Sequence, residues 1–178
     1  MKDVELRLIA ELMKNSRRSD RELAKALGIS QPTVSRLIKK LENEGIIREY
    51  TMIPDFAKLG YTIMGATLLD VQEPLIKEKF EEVRKTTIRT ERTAPHAALL
   101  AINGTARGKN RLFISFYENY SDYVGAMNLA RRIPFVNVDS MESLLADLHD
   151  ETNYRVLSMS AIANHLLQRL EREDEKET

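Results

Sequence analysis

Two different spacings of apolar residues divide the chain. Over roughly the first 50 residues, apolar side chains recur every three or four positions, which is the spacing of helices that pack one face on a core. From Tyr61 a near-continuous apolar run extends to Val71 and is typical of a buried strand, after which helix and strand patterns alternate. The pattern therefore predicts two domains that meet near residue 55.

The first two helices are predicted in the amino-terminal part. The first runs from Asp3 to about Asn15, where apolar residues share one broad face. A polar break follows, and then Ser19 and Glu22 have the spacing of a reciprocal capping box. The second helix therefore begins after Ser19, and its buried side consists of Leu23, Ala24 and Leu27.

A third helix is predicted from Gln31 to Glu44, after a tight turn. Gly28 stands where the second helix has to end, a position that favours a residue tolerant of the left-handed conformation. Ser30 is a good cap, and Pro32 is tolerated in the first turn because its missing amide hydrogen has no helical partner there. Two short helices joined in this way predict a helix-turn-helix, whose second helix reads DNA bases.

Basic residues are concentrated around this motif. The whole chain balances 27 Lys and Arg against 27 Asp and Glu, but Lys14 to Lys40 holds eight basic residues against two acidic ones. Contact with DNA phosphates requires such a local basic surface. A lone basic cluster is most often plain solvated surface, but this one coincides with the predicted turn and cap. We predict bases to be read by Gln31, Thr33, Ser35 and Arg36, with Pro32 beside them, and phosphates to be contacted by Lys39, Lys40, Arg17, Arg18, Arg21 and Arg48.

The segment after Gly45 is predicted to form a wing. Residues Ile46 to Ile53 are rich in β-branched and apolar side chains and stop at Pro54, as a short strand pair would. Arg48 would then reach the DNA backbone. Residues 1–55 are accordingly predicted to be a winged helix-turn-helix DNA-binding domain.

The stretch Ser19 to Ile47, SDRELAKALGISQPTVSRLIKKLENEGII, closely resembles the DNA-binding domain of the Lrp/AsnC regulators. The similarity continues through Tyr50 to Asp55 and on to Gly60, where the family has its wing and its hinge, here residues 56–60. The resemblance implies binding to double-stranded DNA as a homodimer, or as a tetramer or octamer.

Residues 61–157 are predicted to form a ferredoxin-like βαββαβ domain, so the chain as a whole is of the α+β class. After the first strand, a helix begins at Pro74 and carries Ile76, Phe80 and Val83 on one stripe. The remaining elements are two strands joined by a turn at residues 104–111, a helix and a last strand, predicted over Ala97–Asn103, Leu112–Tyr117, Asn119–Ile133 and Val136–Leu148. This order gives an antiparallel sheet with both helices on one face, and the other face needs a cover.

The Lrp/AsnC resemblance implies that this second domain senses a ligand and that its sheet pairs with that of a partner. Residues 132–136 resemble the segment before the family's last strand, although Phe135 stands where the family usually has Gly. In the predicted turn, Arg111 stands where amino-acid-responsive members carry Asp, which argues against an amino-acid effector. Arg107, Lys109 and Arg111 favour an anionic ligand instead, and the alternative is a plain solvated hairpin turn. The ligand-binding residues stay unknown.

Residues 158–178 are predicted to be an amphipathic helix followed by a charged tail. Met159, Ile162, Leu166 and Leu170 recur at helical spacing, in an element beyond the usual length of the family. Packing on its own domain or on a partner is favoured over membrane binding. The tail from Glu171 holds no apolar residue and needs no function.

Composition excludes several kinds of site. The chain has no cysteine and only three widely scattered histidines, so we expect neither a metal site nor a cysteine nucleophile. No apolar run approaches the length of about 20 residues that spans a bilayer, and the first residues are charged, so we expect a cytoplasmic protein without membrane contact.

These patterns together predict a sequence-specific transcription regulator that acts as a homodimer or higher oligomer, modulated by a small-molecule effector of unknown identity. We expect no cofactor and no catalytic residue. Two alternatives stay open. One is an enzyme like the siroheme decarboxylases, which also resemble this family and would use His and Arg near a tetrapyrrole. The other is an architectural protein that compacts DNA with little sequence preference.

Overall fold

The structure is a computed structural model that describes residues 1–72, 77–78, 80–92, 94, 96–133, 136–153 and 157–174. Its helices and strands, in chain order, are α1 (Asp3–Lys14), α2 (Asp20–Leu27), α3 (Gln31–Asn43), β1 (Ile63–Val71), α4 (Phe80–Glu91), β2 (Ala97–Ala106), β3 (Lys109–Tyr117), α5 (Tyr120–Ala130), β4 (Val136–Asp147) and α6 (Ser160–Asp174). They form two compact units. The first joins residues 1–53 to α6, and the second begins at Pro54 and holds the sheet.

The first unit has a core where α1, α2 and α3 meet. Leu8 of α1, Leu23 of α2, and Val34 and Leu41 of α3 are completely buried there. Each comes from the apolar face of an amphipathic helix, and burying such a side chain stabilises the fold by about 1.5–3 kcal/mol. Helix α3, the recognition helix of the predicted helix-turn-helix, is therefore held by its apolar face, and its polar face is left exposed.

The carboxy-terminal helix α6 belongs to this first unit and packs against α1. Ala163 and Leu170 of α6 are fully buried. On α1, Ala10 is also fully buried, although it lies on the side of the helix opposite Leu8. Helix α1 is thus apolar on two sides, and α6 covers the side that the helix-turn-helix leaves open.

The second unit is a four-stranded antiparallel sheet in the order β2-β3-β1-β4. Strands β1 and β3 lie in the middle of the sheet, and β2 and β4 form its edges. This is the ferredoxin-like arrangement that the order of elements predicted, and the predicted α+β fold class is confirmed.

The two faces of the sheet differ in what covers them. Tyr117 of β3 meets Tyr123 of α5 edge to face, with ring centroids 5.5 Å apart, so Tyr117, Ser115 and Phe113 face this helix. On the opposite face, Phe56 stacks on Phe116 with ring centroids 4.0 Å apart. The residues just before β1 therefore cover one end of the face that α5 does not.

The turn between β2 and β3 is tighter than predicted. Ala106 pairs with Lys109, and only Arg107 and Gly108 lie between the strands, with φ angles of 49° and 76°. Positive φ at both central residues is what the commonest two-residue hairpin loop requires, and Gly adopts it without strain. The prediction of a turn over residues 104–111 is therefore wrong, and Arg111 lies within β3.

Other boundaries differ by a few residues. The predicted first helix ends at Lys14, and the recognition helix ends at Asn43 with Glu44 as its cap. Helix α5 begins after its cap Asn119 and ends at Ala130. Pro74, Ile76, Pro134 and Phe135 lie outside the described residues, as do the side chains of Phe80 and Val83. Within the described part of the chain, no helix combines the length and the apolar character that crossing a bilayer requires.

Candidate nucleic-acid interface

The turn between α2 and α3 is fixed by caps at both helices. The Glu22 amide donates to Ser19 Oγ at 3.3 Å, and the Ser19 amide donates to Glu22 Oε2 at 2.7 Å, which completes the predicted capping box. Gly28 ends α2 with a φ of 67°, in the left-handed region that glycine adopts most readily. These contacts set the direction in which α3 leaves the turn.

Helix α3 begins at its own cap, Ser30. The Thr33 amide donates to Ser30 Oγ at 3.3 Å, and the two hydroxyls lie 2.8 Å apart. The Thr33 hydroxyl is therefore engaged with the cap, while its methyl group remains available to a DNA base. Pro32 occupies the first turn, as predicted, where no amide hydrogen is needed.

The exposed face of α3 carries most of the predicted DNA contacts. Gln31, Pro32, Arg36, Lys39 and Lys40 are exposed, and Thr33 and Ser35 are partly exposed. Among the described residues, the side chains of Gln31, Arg36 and Lys39 have no hydrogen-bond or ion-pair partner. They can therefore exchange water for DNA without breaking a contact of the folded protein.

Lys40 differs from its neighbour Lys39, because its ammonium group is used inside the protein. Nζ of Lys40 donates to Glu5 Oε1 of α1 at 2.6 Å and lies 3.7 Å from Glu44 Oε1. Glu5 is only 2% exposed, so this ion pair lies at the edge of the core. The hydrogen bond from Lys40 lowers the pKa of Glu5, and Glu5 in turn raises the pKa of Lys40.

The other residues predicted to contact phosphate also fall into two groups, one without side-chain partners among the described residues and one with an ion pair inside the protein. The side chains of Arg17, Arg21 and Arg48 are exposed and have no side-chain partner among the described residues. Arg18 is partly buried, and its guanidinium forms an ion pair with the Glu11 carboxylate of α1. Arg18 and Lys40 thus join the motif to α1. The sequence pattern did not reveal either pair, because Glu11 lies across the polar break from Arg18 and Glu5 lies 35 residues from Lys40.

The predicted strand pair of the wing is not formed. Residues 46–53 contain no strand and continue in irregular backbone. A hairpin within eight residues needs a turn in the middle, and Arg48 and Glu49 are not residues that favour one. The amides of Ile46 and Ile47 donate to the Leu41 carbonyl at the end of α3, at 2.9 and 3.1 Å. Further along, the Tyr50 hydroxyl donates to Glu42 Oε1 at 3.0 Å, and Ser16 Oγ donates to the Thr51 carbonyl at 3.4 Å. Although Tyr50 is 48% exposed, partial desolvation of its hydroxyl, followed by the bond to Glu42, raises the pKa of Tyr50 to about 12.

The basic residues of the second unit also occupy unlike surroundings. Lys109 is 8% exposed and donates to Glu142 Oε1 at 2.9 Å, which lowers the pKa of Glu142. Arg111 is half-buried, and its Nε and Nη2 donate to Asn103 Oδ1 at 3.2 and 2.8 Å. Arg107 lies in the turn with its side chain 83% exposed. The three residues therefore do not form one solvated cluster, and the ammonium group of Lys109 is already paired with Glu142 inside the protein.

The described residues contain no group of three or more His, Asp or Glu side chains placed to hold a metal ion. His149 lies 3.5 Å from the Asp147 carboxylate and is exposed, whereas His96 is partly buried against Phe113 and Tyr117. Burial lowers the pKa of His96, so its ring is neutral at physiological pH.

Comparisons with known proteins agree with the geometry of the first unit. Residues 1–48 match a family model described as a winged helix-turn-helix DNA-binding domain. An HTH-type transcriptional regulator of Pyrococcus furiosus is 48% identical over 69 residues, which are 39% of this chain and 45% of that protein. LrpC of Bacillus subtilis is 42% identical over 60 residues, 34% of this chain and 42% of that protein. The chain therefore spans less than half the length of these two relatives in sequence.

Solved structures are similar over most of the chain. The structure of Bacillus subtilis LrpC has a TM-score of 0.66 at 22% identity and covers 87% of this chain and 99% of its own. Escherichia coli AsnC gives 0.65 at 16% identity, with 88% and 97% covered. A transcriptional regulator of Neisseria meningitidis in complex with L-Met gives 0.68 at 18% identity, with 93% and 99% covered. These likenesses show a common fold, and the predicted resemblance to the Lrp/AsnC regulators is confirmed.

Proposed function

We propose that this chain, which is similar in fold and in amino-terminal sequence to the Lrp/AsnC regulators, is a sequence-specific DNA-binding transcription regulator. The observation that carries the proposal is the exposed face of α3, where Gln31, Arg36 and Lys39 have no partner among the described residues. The opposite face of the same helix is buried at Val34 and Leu41. A rigidly held helix with unpaired polar and basic side chains is what reading a major groove requires.

The proposed division of labour follows from side-chain chemistry. Arg36 would bind guanine and Gln31 would bind adenine, each through two hydrogen bonds to the base edge. Thr33 and Ser35 would contact bases beside them. Lys39, Arg17, Arg21 and Arg48 would contact phosphates, where they add affinity and salt dependence without selecting a sequence. Lys40 and Arg18 would contribute little to DNA binding, because the carboxylates of Glu5 and Glu11 pair with them and offset their charge.

The sheet of the second unit supports a homodimer. On the face opposite α5, the strands carry apolar side chains that water reaches in this chain: Leu144 is 71% exposed, Ile102 46% and Leu100 39%. Contiguous exposed apolar surface of this kind marks an interface. A second copy of the same sheet offers a matching apolar surface, so a two-fold dimer would present two recognition helices to two half-sites.

The second unit is also where we propose that a small effector acts. A regulator of the same fold from Neisseria meningitidis was crystallised with L-Met, which supports a small-molecule effector in this chain. We further propose that the protein works in the cytoplasm and has no enzymatic activity.

Selection of genomic DNA fragments by the purified protein tests the proposed function. We expect recovered fragments to share a two-fold symmetric sequence whose half-sites lie one or more helical turns apart. Footprints on one fragment should cover that sequence alone. Uniform coverage of unrelated DNA would instead identify an architectural protein and would overturn the proposal of a specific operator.

A spectroscopic experiment tests the absence of tetrapyrrole chemistry. His96 and Arg111 line one pocket of the second unit, but that pocket has a volume of about 110 Å³. A cavity of about 150 Å³ accommodates a benzene ring, so a macrocycle would not fit this pocket. His96 also lines a pocket of about 370 Å³, but the described lining of that pocket contains no Arg. We therefore expect the visible spectrum of added siroheme to stay unchanged by the protein. A shifted and saturable absorbance band would favour the enzyme.

A further inference from the structure

The pocket that Arg111 lines lies between the sheet and α5 of the second unit. Its floor consists of residues on the α5 side of the sheet, and α5 with the residues that follow it forms one wall. Leu69, Phe113, Met127, Ile133 and Met141 make most of this lining apolar. A concave apolar site with a few polar groups is the usual form of a small-molecule site.

One cation lies in this apolar lining. Arg111 is half-buried, and burial lowers the pKa of its guanidinium, which nevertheless stays charged at neutral pH. Its hydrogen bonds go to the neutral amide oxygen of Asn103, and no carboxylate among the described residues pairs with it. A partly desolvated positive charge without a counterion attracts an anion more strongly than a charge in water does.

Two other residues of the pocket lining, Tyr117 and His96, carry buried polar atoms without a partner. The Tyr117 side chain is 1% exposed, and its hydroxyl has no hydrogen-bond partner. The neighbouring Ser115 hydroxyl and both ring nitrogens of His96 are also buried without a partner. Ser115 lies close enough to offset slightly the rise that burial causes in the pKa of Tyr117. A hydrogen bond between the Ser115 and Tyr117 hydroxyls would use the proton of only one of them. The proton of the other hydroxyl would still have no acceptor among the described residues. Buried polar atoms of proteins are normally paired, so the unpaired atoms of Tyr117 and His96, which both line the pocket, indicate that it receives a polar ligand.

The charge of the lining restricts the ligand further. The described lining contains Arg111 and no Asp or Glu. An amino acid bound there would place its carboxylate at Arg111 but would leave its ammonium group without a negative partner among the described lining residues, which is costly in apolar surroundings. The volume of about 110 Å³ admits an apolar body of about four or five carbon atoms.

We propose that this pocket binds a small monocarboxylate that has an apolar body and no amino group, with its carboxylate on Arg111. The body lies against Phe113, Met127 and Ile133. This inference rests on the proposal that the second unit responds to a small molecule, and it names the chemical class of that molecule.

Three ligands of equal chain length test the proposal: hexanoate, hexanamide and L-norleucine. Binding to the full-length protein is measured by titration calorimetry and by the shift of the thermal unfolding midpoint, without DNA. We expect hexanoate to bind at least about tenfold more tightly than the other two, because only hexanoate has the charge without the ammonium group. Equal binding of hexanoate and hexanamide, or tighter binding of norleucine, would overturn the proposal.

Two pairs of variants locate the site. Arg111→Gln should lose at least about tenfold in hexanoate affinity, whereas Arg107→Gln, in the exposed turn, should keep it. Ala101→Leu fills the pocket from the exposed strand β2 and should also abolish binding. Its matched control is Ala98→Leu, which lies on the same face of β2 outside the pocket lining. Hexanoate binding that survives both Arg111→Gln and Ala101→Leu would show that the site lies elsewhere.

DNA binding is measured separately, with the selected operator and without ligand. If all variants bind DNA normally and hexanoate binds none of them nor the parent chain, the ligand proposal fails while the regulator proposal stands. If hexanoate binds but no operator is found, the regulator proposal fails while the ligand-binding pocket stands.

Discussion

Lys40, on the recognition helix, donates a 2.6 Å hydrogen bond to the buried carboxylate of Glu5 on α1. Glu5 also accepts a 2.9 Å hydrogen bond from the amide of Lys2, so its carboxylate has partners on both sides. The buried charge is thereby paired and hydrogen-bonded, which is the condition under which a protein tolerates it. A basic residue that the sequence suggests for DNA contact thus helps to hold the recognition helix on the domain.

The Glu5–Lys40 pair should give the stability of the first unit a defined pH dependence. Because the pKa of Glu5 is lowered on folding, its contribution is complete above the ordinary value of 4.5 and is lost as the pH falls through the lowered value. Because the pKa of Lys40 is raised, its contribution is complete below 10.5 and is lost as the pH rises through the raised value. Between these limits the pair stabilises the fold fully.

The variant Glu5→Gln tests this dependence. We expect it to lower the urea midpoint of unfolding at neutral pH, and we expect the difference from the parent chain to shrink below about pH 4. Glu49→Gln, at an exposed position, is the matched control and should leave the midpoint unchanged. A difference that stays constant down to acid pH would contradict the assigned role of the Glu5 charge.

Arg36→Ala should reduce specificity. If Arg36 makes two hydrogen bonds to a guanine, its loss should weaken the binding free energy by about 1–3 kcal/mol on the selected operator and by little on unrelated DNA. Fluorescence anisotropy on both DNAs at one salt concentration measures the difference. Equal losses on the two DNAs would mean that Arg36 contacts phosphate instead.

Lys39→Ala should mainly affect DNA binding and Lys40→Ala mainly stability, although the two residues are neighbours. Lys39 has no partner among the described residues, so its loss should lower affinity for all DNA sequences and reduce the salt dependence by about one counterion. Lys40→Ala should mainly lower the unfolding midpoint, because it leaves Glu5 buried without its cation. The assignment is wrong if both variants show the same salt slope and the same stability.

Gly65 should tolerate no side chain. A Cβ atom on Gly65 would lie 2.8 Å from Cε2 of Tyr117, whose ring is fixed in the core. Gly65→Ala should therefore destabilise the second unit by about 1–3 kcal/mol. At Gly104 the same atom would meet nothing within 4 Å, so Gly104→Ala should change stability by no more than about 0.5 kcal/mol. Chemical unfolding compares the two, and equal effects would argue against the close packing of Tyr117 on Gly65.

Charge on the exposed sheet face should prevent dimerisation. The double variant Ile102→Lys and Leu144→Lys introduces two like charges that a second copy would have to bury. We expect light scattering to report half the mass of the parent chain, with an unchanged circular dichroism spectrum. Val124→Lys, on α5 and also exposed, is the control and should keep the parent mass. An unchanged mass in the double variant would exclude this face as the interface.

The amino-terminal motif could be read from the sequence because its signals are local. The capping box at Ser19 and Glu22, the left-handed Gly28 and the cap Ser30 each depend on residues within one helical turn, and all three are confirmed. The two-faced pattern of α3 likewise follows from helical periodicity. In the second unit, the order of strands and helices was sufficient to predict the antiparallel sheet.

The errors arose where local pattern was insufficient. Residues 46–53 have the composition of strands but lack a turn, and their hydrogen bonds go to Leu41, Glu42 and Ser16 rather than to a ladder. The turn of the β2–β3 hairpin was predicted too long because Lys109 and Arg111 are polar residues of the kind found in turns. In the structure, Lys109 finds Glu142 across the sheet and Arg111 finds Asn103 on β2.

The sequence by itself determined the elements of the two units and the face of α3 that meets solvent, because these depend on neighbours within a few positions. Only the tertiary structure decided which basic residues are available to DNA, since Glu5 lies 35 residues from Lys40. It also decided that α6 covers α1 and that Arg111 lines an apolar pocket. Such pairings depend on distance in space, for which the order of residues along the chain gives no periodic signal.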